Sequence, residues 1–230
     1  MTFTDIGGAL RGNKYPGRGI VIGRGAGGCD VIVYFIMGRS GNSRNRVFAK
    51  TIDGIRTQAR DPALLGDPSL VIYSAVRRMD DGKILVTNGD QTDTVSDALS
   101  SGGTFRDALM GREYEPDPPI CTPRISGLLM PDGSYALSIL KSAHGGDQSC
   151  VLRHFYEYSA PIAGLGHLIH TYAHDGDPPP SFFGEPLPVS IDLENGLEPF
   201  AQGIWDALDG ENRVSLYVYA RGLGETIINK

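Results

Sequence analysis

Short apolar runs separated by turn residues dominate the chain. The stretches GIVIG (19–23), DVIVYFIMG (30–38), SLVIYSAVRR (69–78), KILVTNG (83–89), ISGLLM (125–130) and YALSILKSA (135–143) read as strands, and VLRHFYEYS (151–159), VSIDL (189–193) and VSLYVYA (214–220) continue the series. The second of these is apolar at odd and even positions alike, which predicts a strand covered on both faces. The linkers RMDDG and PDG predict antiparallel hairpins at two junctions. Helical periodicity is scarcer. TVSDALSS and TFRDALMGR are short candidates, and PFAQGIWDALDG places Phe200, Ile204 and Leu208 on one face, with a proline at its start and a glycine after it. Many strands with a few covering helices predict an α+β protein. The segment HDGDPPPSFFGEPLP (174–188) predicts a long loop, because its prolines supply no ladder donors, and its paired phenylalanines imply that it packs over something. No internal repeat is present.

Composition narrows the classes. A chain of 230 residues can bury a substantial core as one domain, and 31 glycines with 15 prolines agree with many turns. The net charge of −6 argues against nucleic acid or an acidic membrane as a partner, since both need extended positive surface. No apolar stretch approaches the roughly 20 residues of a membrane helix. Cys29, Cys121 and Cys150 are widely spaced, which suggests neither a disulfide framework nor a zinc knuckle and fits a reducing cytoplasm.

Several motifs invite chemistry. Gly23, Gly25 and Gly28 follow a strand as in a dinucleotide-binding turn, but another strand rather than a helix comes next, so a hairpin turn is the better reading. His167, His170 and His174 lie near Asp175 and Asp177, yet they run into prolines and lack the pattern of a zinc site; satisfied or exposed loop histidines, with no metal and no cofactor, are expected. Cys121 has no identifiable base and reads as a small buried hydrophobe. More informative is GRSGNSRNRVF (38–48), where Arg39, Arg44 and Arg46 crowd together with Ser40, Asn42, Ser43 and Asn45 at the end of a strand. Guanidinium forks suit phosphate and carboxylate oxygens, and uncharged donors can direct an anion or an amide; a solvated loop is the plainer alternative. In LVTNGDQTDTV (85–95), Asp93 or Thr94 is expected to cap the following helix, with Asp97 completing a capping box, which leaves Asn88 and Thr92 available for a ligand.

Together, YPGRG (15–19), GRSGNSRNRVF (38–48), VTNGDQTDTV (86–95) and CTPRISG (121–127) resemble the motifs of the archaeal-type IMP cyclohydrolases and their bacterial relatives, in the family's order. The resemblance implies a layered αββα sandwich like that of N-terminal-nucleophile hydrolases but without a terminal nucleophile, which demotes Thr2. It implies a single domain over 1–230 whose part beyond about 160 varies in the family, and it departs at Cys121, where the archaeal pattern has Asn.

The activity implied is a cyclohydrolase of purine biosynthesis, closing the ring of 5-formamidoimidazole-4-carboxamide ribotide to inosine monophosphate with loss of water. The ribotide is then the small-molecule partner, and assembly into a homo-oligomer is left open. The residues implied for substrate binding are Arg18, Arg39, Ser40, Asn45, Arg46, Tyr73, Thr92, Thr122 and Arg124. Asn88 and Thr92 would stabilise the formyl oxygen, and Glu113 or Tyr114 would be the general acid, with Asp93 competing. A non-catalytic ribotide-binding protein and an amidohydrolase on a related ribotide are the alternatives.

Overall fold

A computed structural model describes residues 3–64, 68, 71–145 and 150–230. Thr2 and the first two positions of the run 69–78 lie outside the described residues. Two antiparallel sheets and a few helices make this an α+β protein. Along the chain come α1 (Ile6–Leu10), β1 (Arg18–Arg24), β2 (Asp30–Met37), α2 (Gly41–Arg44), β3 (Arg46–Lys50), β4 (Gly54–Ala59), β5 (Ser74–Arg78), β6 (Ile84–Thr87), α3 (Gln91–Ser100) and α4 (Phe105–Met110). They are followed by β7 (Arg124–Leu129), β8 (Tyr135–Ser142), β9 (Val151–Tyr158), β10 (Leu165–His170), β11 (Leu187–Ser190), α5 (Leu197–Ala207), β12 (Arg213–Ala220) and β13 (Gly224–Asn229). The first sheet runs β11-β10-β1-β2-β12-β13 and the second β3-β4-β5-β6-β7-β8-β9.

Side-chain alternation explains how the sheets bury their faces. Ile20, Ile22, Ile32, Tyr34 and Ile36 share one apolar cluster with Ile55, Val76, Val86, Ile125 and Ile139 of the second sheet. Their alternates Val21, Val31, Val33, Phe35 and Met37 instead join Ile6 and Leu10 of α1 and Ala201, Ile204 and Trp205 of α5. On the second sheet, Leu85, Leu128 and Leu140 pack with Val95, Phe105 and Leu109 of α3 and α4. Each large side chain so buried contributes about 1.5–3 kcal/mol. β2 is therefore covered on both faces, as its continuous apolar run predicts. The turn after β1 is a hairpin, with Gly28 at φ +87 and the Gly25 amide donating to Cys29 O at 2.8 Å. Hairpins also form at RMDDG and PDG.

The structure departs from the apolar pattern in several places, among them β11, which lies at Leu187–Ser190 rather than over the expected 189–193. β3, β4, β10 and β13 are strands that carry Arg, Thr, His or Glu where a run of hydrophobes would be expected. The strand expected over 69–78 begins only at Ser74, because β4 has a register irregularity between Ile55 and Arg56 and the Thr57 hydroxyl takes over as partner: it donates to Val71 O at 2.6 Å and accepts from the Tyr73 amide at 3.0 Å. Helix α3 starts at Gln91, before the expected capping box. Asp90 occupies the cap without a side-chain cap bond, since its carboxylate is drawn to Arg112 and Arg124. In the proline-rich loop Phe182 is buried while Phe183 is exposed, so one of the two phenylalanines anchors it.

Candidate active site

Two strand starts that carry arginine meet at one end of the space between the sheets. Arg18 begins β1 and Arg46 begins β3, each on the same face as the shared apolar cluster, and both are almost wholly buried. Tyr34 of β2 meets Tyr73 hydroxyl to hydroxyl at 2.8 Å. A one-residue slip of β2 would present Phe35 there and remove that contact. Buried Glu115, whose amide donates to Thr122 O at 2.9 Å, completes the cluster. Arg46 donates from Nε to Ser43 O at 3.0 Å, but its Nη2 and the Nε of Arg18 are buried with no hydrogen-bond partner among the described residues. Unpaired buried donors are costly, which makes them markers of a group that belongs beside them.

The electrostatics agree with a polar centre kept from water. Burial opposes the charge of Arg18, yet Glu115, when ionised, outweighs it and raises its pKa well above the ordinary value. Burial, reinforced by the like charge of Arg18, lowers that of Arg46. Glu115 is pushed up by burial more than the nearby Arg18 and Arg124 cations pull it down. A buried carboxyl that keeps its proton above the usual range is suited to act as an acid.

Around this centre lies an aromatic wall. Tyr15 and Tyr172 stack with centroids 5.5 Å apart, and the Tyr172 hydroxyl meets the Thr122 hydroxyl at 2.8 Å. Gly17, at φ +81, lets the backbone pass close by; a Cβ there would lie 2.2 Å from Thr171 Oγ1. Arg39 sits over the Tyr15 ring at 4.7 Å and holds the proline-rich loop, donating to Asp175 Oδ1 and Gly176 O, each at 2.7 Å.

The remaining sequence candidates divide by what already holds them. Arg124 is buried and pairs with Asp90 at 2.6 Å and Gln91 Oε1 at 2.7 Å. Ser40 caps α2 at the surface, and Asn45 clamps the backbone of Asp61 through both ends of its amide. Asn88 and Thr92 are not available as the capping argument expects. Asn88 donates to Pro123 O at 2.9 Å and accepts from the Ile125 amide at 2.8 Å and Gln91 Nε2 at 3.1 Å. The Thr92 hydroxyl lies 2.5 Å from Ser74 O, 3.0 Å from Gly89 O and 2.6 Å from the Thr87 hydroxyl. Thr122 is fixed by Asp117 through its amide and hydroxyl. Of the three candidate acids, Asp93 is exposed and pairs with Arg77 at 2.8 Å, Glu113 is exposed, and Tyr114 is buried.

Sequence reasoning passed over Glu115, Tyr34, Tyr172 and Gln91. For Glu115 a signal existed: REYEP offers two carboxylates two residues apart, and only the second precedes the proline. Nothing local marks Tyr172.

The histidines are accounted for singly. His167 meets the Tyr135 hydroxyl at 2.6 Å, His170 donates from Nδ1 to Tyr172 O at 2.7 Å, and His174 donates to Asp175 O. No group of three or more His, Cys, Asp or Glu side chains that could hold a metal occurs among the described residues. Burial lowers the His170 pKa to about 4 against the effect of that hydrogen bond. The unfolded chain therefore takes up a proton near pH 6.5 that the folded chain refuses, so stability is constant above that pH and falls below it, by about 2 kcal/mol at pH 5. Unfolding midpoints at pH 7 and pH 5 should differ less in His170→Asn than in the wild type; equal differences would assign the acid sensitivity to other groups.

The IMP cyclohydrolase-like protein family matches residues 15–225 of the chain. The chain belongs to that family. The match includes every residue of the buried cluster. Among curated relatives, the IMP cyclohydrolase of Methanopyrus kandleri (strain AV19) is 33% identical over 123 residues, 52% of this chain and 59% of the relative. Those of Methanococcus maripaludis strains C7 and C6 are 32% identical over 127 residues and 34% over 128, each covering 53% of this chain and 61% of the relative. The chain thus spans about three fifths of the length of the curated relatives it matches. Among the described residues of this family member, no helix is long and apolar enough to cross a membrane.

Proposed function

We propose that the protein is an IMP cyclohydrolase, closing the pyrimidine ring of 5-formamidoimidazole-4-carboxamide ribotide to give inosine monophosphate. The observation that carries this reading is the buried set of Arg18, Arg46 and Glu115, in which two guanidinium groups keep unpaired donors beside a carboxyl of raised pKa. In the reaction the carboxamide nitrogen bonds to the formyl carbon and the formyl oxygen becomes a hydroxyl. The C–O bond then breaks, and the oxygen leaves as water with one hydrogen from the carboxamide nitrogen and, in net terms, one from the formamide nitrogen. Arg18 and Arg46 offer donors to the oxygen as charge develops on it, the largest electrostatic contribution such a site can make. Tyr73 and Tyr34 border the two guanidinium groups, and the Tyr15–Tyr172 wall orients the planar imidazole, since holding the reacting atoms together removes much of the barrier.

Glu115, rather than the exposed Glu113 or Asp93, protonates the departing oxygen, with Tyr114 buried next to it in sequence. Arg124 keeps Glu115 in a positive field, Thr122 sets Tyr172, and Asn88 and Thr92 hold the frame. Arg39 stands at the rim, where it meets the proline-rich loop. The fold belongs to this reading as a single αββα sandwich, with α1 and α5 on one outer face and α3 and α4 on the other, and the setting is cytoplasmic.

Incubating the purified protein with the formamido ribotide tests the reading directly. Inosine monophosphate is expected to accumulate, in the presence of a chelator as well as without it. Tight binding without turnover would favour a ribotide-binding protein instead, release of formate an amidohydrolase, and activity that only a divalent ion restores would overturn the metal-free route.

A further inference from the structure

A second charged feature lies at the far side of the arginine-rich stretch. Arg44, Arg46, Arg60, Arg213 and Lys230 line, with Val214, a cavity of about 160 Å³. These cations come from two stretches far apart in sequence, the run from α2 through β3 to the residue after β4, and the β12–β13 ribbon with the residue that follows it. In a chain of net charge −6, many of the other arginines have a carboxylate beside them: Arg24, Arg39, Arg77, Arg78, Arg112, Arg124 and Arg221 are all ion-paired. Here the only carboxylate within ion-pair distance, among the described residues, is Asp206, 3.5 Å from Arg213. The other cations are turned by neutral groups. Arg44 donates to Gly38 O and Asn212 Oδ1, Lys230 to Gly210 O and Glu211 O, and Arg213 to Trp205 O while its guanidinium lies 4.6 Å from the Trp205 ring. Arg46 is 2% exposed, with its Nε held by Ser43 O.

Like charges repel, so five cations around a small cavity with one marginal counter-carboxylate form an arrangement that an anion stabilises. Fixed guanidinium forks and an ammonium favour tetrahedral oxyanions with several acceptor oxygens. The volume accommodates a single such group.

We propose that this cavity is an oxyanion site that takes one phosphoryl group. Four of its five cations, Arg44, Arg60, Arg213 and Lys230, stand outside the buried cluster assigned to ring closure, and Arg46 is shared between the two. The group is supplied either by a free phosphate ion or by the phosphate end of a ribotide whose base reaches the buried cluster past Arg46.

Inorganic phosphate is the probe, titrated into the full chain at low ionic strength and followed by calorimetry, so that the result does not depend on ring closure. Saturable one-to-one binding is expected, weakened at least tenfold in Arg60→Ala/Lys230→Ala and little changed in Arg11→Ala/Arg56→Ala, which removes the same charge elsewhere on the surface. Equal thermal unfolding midpoints would show that both variants fold. Competition between phosphate and saturating inosine monophosphate would assign the group to the ribotide, and simultaneous binding would assign it to a free anion. No saturable binding, or equal weakening in the two double variants, would overturn the site.

Discussion

Glu115→Gln is expected to slow ring closure by about 10²-fold to 10⁴-fold, the usual range for loss of a positioned general acid. Affinity for the ribotide should stay within a few-fold, because the amide keeps the size and hydrogen-bonding outline of the acid. Glu113→Gln, at an exposed position, should leave the rate near that of the wild type. The pH profile sharpens the comparison. Burial raises the Glu115 pKa, so its protonated form persists above the usual carboxylate range and is lost as pH rises further; the alkaline fall in rate that follows should be missing in the glutamine variant. Stability runs the same way. A carboxyl whose folded pKa is raised costs the folded state as pH climbs past its unfolded value, so the variant should unfold at neutral pH no more readily than the wild type. A normally active Glu115→Gln with an unaltered profile would sink the assignment, and slow turnover in Tyr114→Phe or Asp93→Asn would then move the proton there.

Asn88→Ala should destabilise the protein by about 3–5 kcal/mol while the activity of each folded molecule is retained. Its side chain joins the ends of β6 and β7, giving to Pro123 O and accepting from the Ile125 amide, and it is fully buried. Truncation strands both backbone groups, at about 1–3 kcal/mol each, and adds a small cavity. Denaturant midpoints, with kcat measured on the folded fraction, separate this from a catalytic role. A loss of rate with an unchanged midpoint would return Asn88 to the reaction as an oxygen-stabilising donor.

These contrasts show where sequence is informative and where it is not. Runs such as 30–38 disclose their strands because both faces of β2 meet hydrophobes. β4 hides because it alternates Ile55 and Thr57 with exposed Arg56 and Gln58, and its buried threonine serves an irregular neighbour rather than a core. β13, half-exposed at a sheet edge, has little apolar demand to display. Within the candidate site, the residues implied by the family resemblance include Arg18, Arg46, Tyr73 and Arg124, and all four are buried where their charge or hydroxyl is felt at Glu115. Whether a polar side chain is free for a ligand depends instead on partners supplied from far along the chain. Asn45 is claimed by Asp61, Asn88 by Pro123, Arg39 by Asp175 and Thr122 by Tyr172. No local pattern announces those claims, whereas the proline after Glu115 does set it apart from Glu113.

The strand order of the first sheet also governs when the protein can become itself. The β1–β2 hairpin closes early, from residues that are neighbours in sequence, but its outer edges are met only by β10 and β12, which are synthesised well over a hundred residues later. Pairings of such long range are slow to form, because the chain loses its freedom before the contacts compensate. Until then a hairpin of almost wholly apolar strands waits with two open edges, the condition in which a nascent chain most needs a chaperone. A fragment ending near residue 160 would hold every motif that marks the family and would still leave that hairpin unflanked.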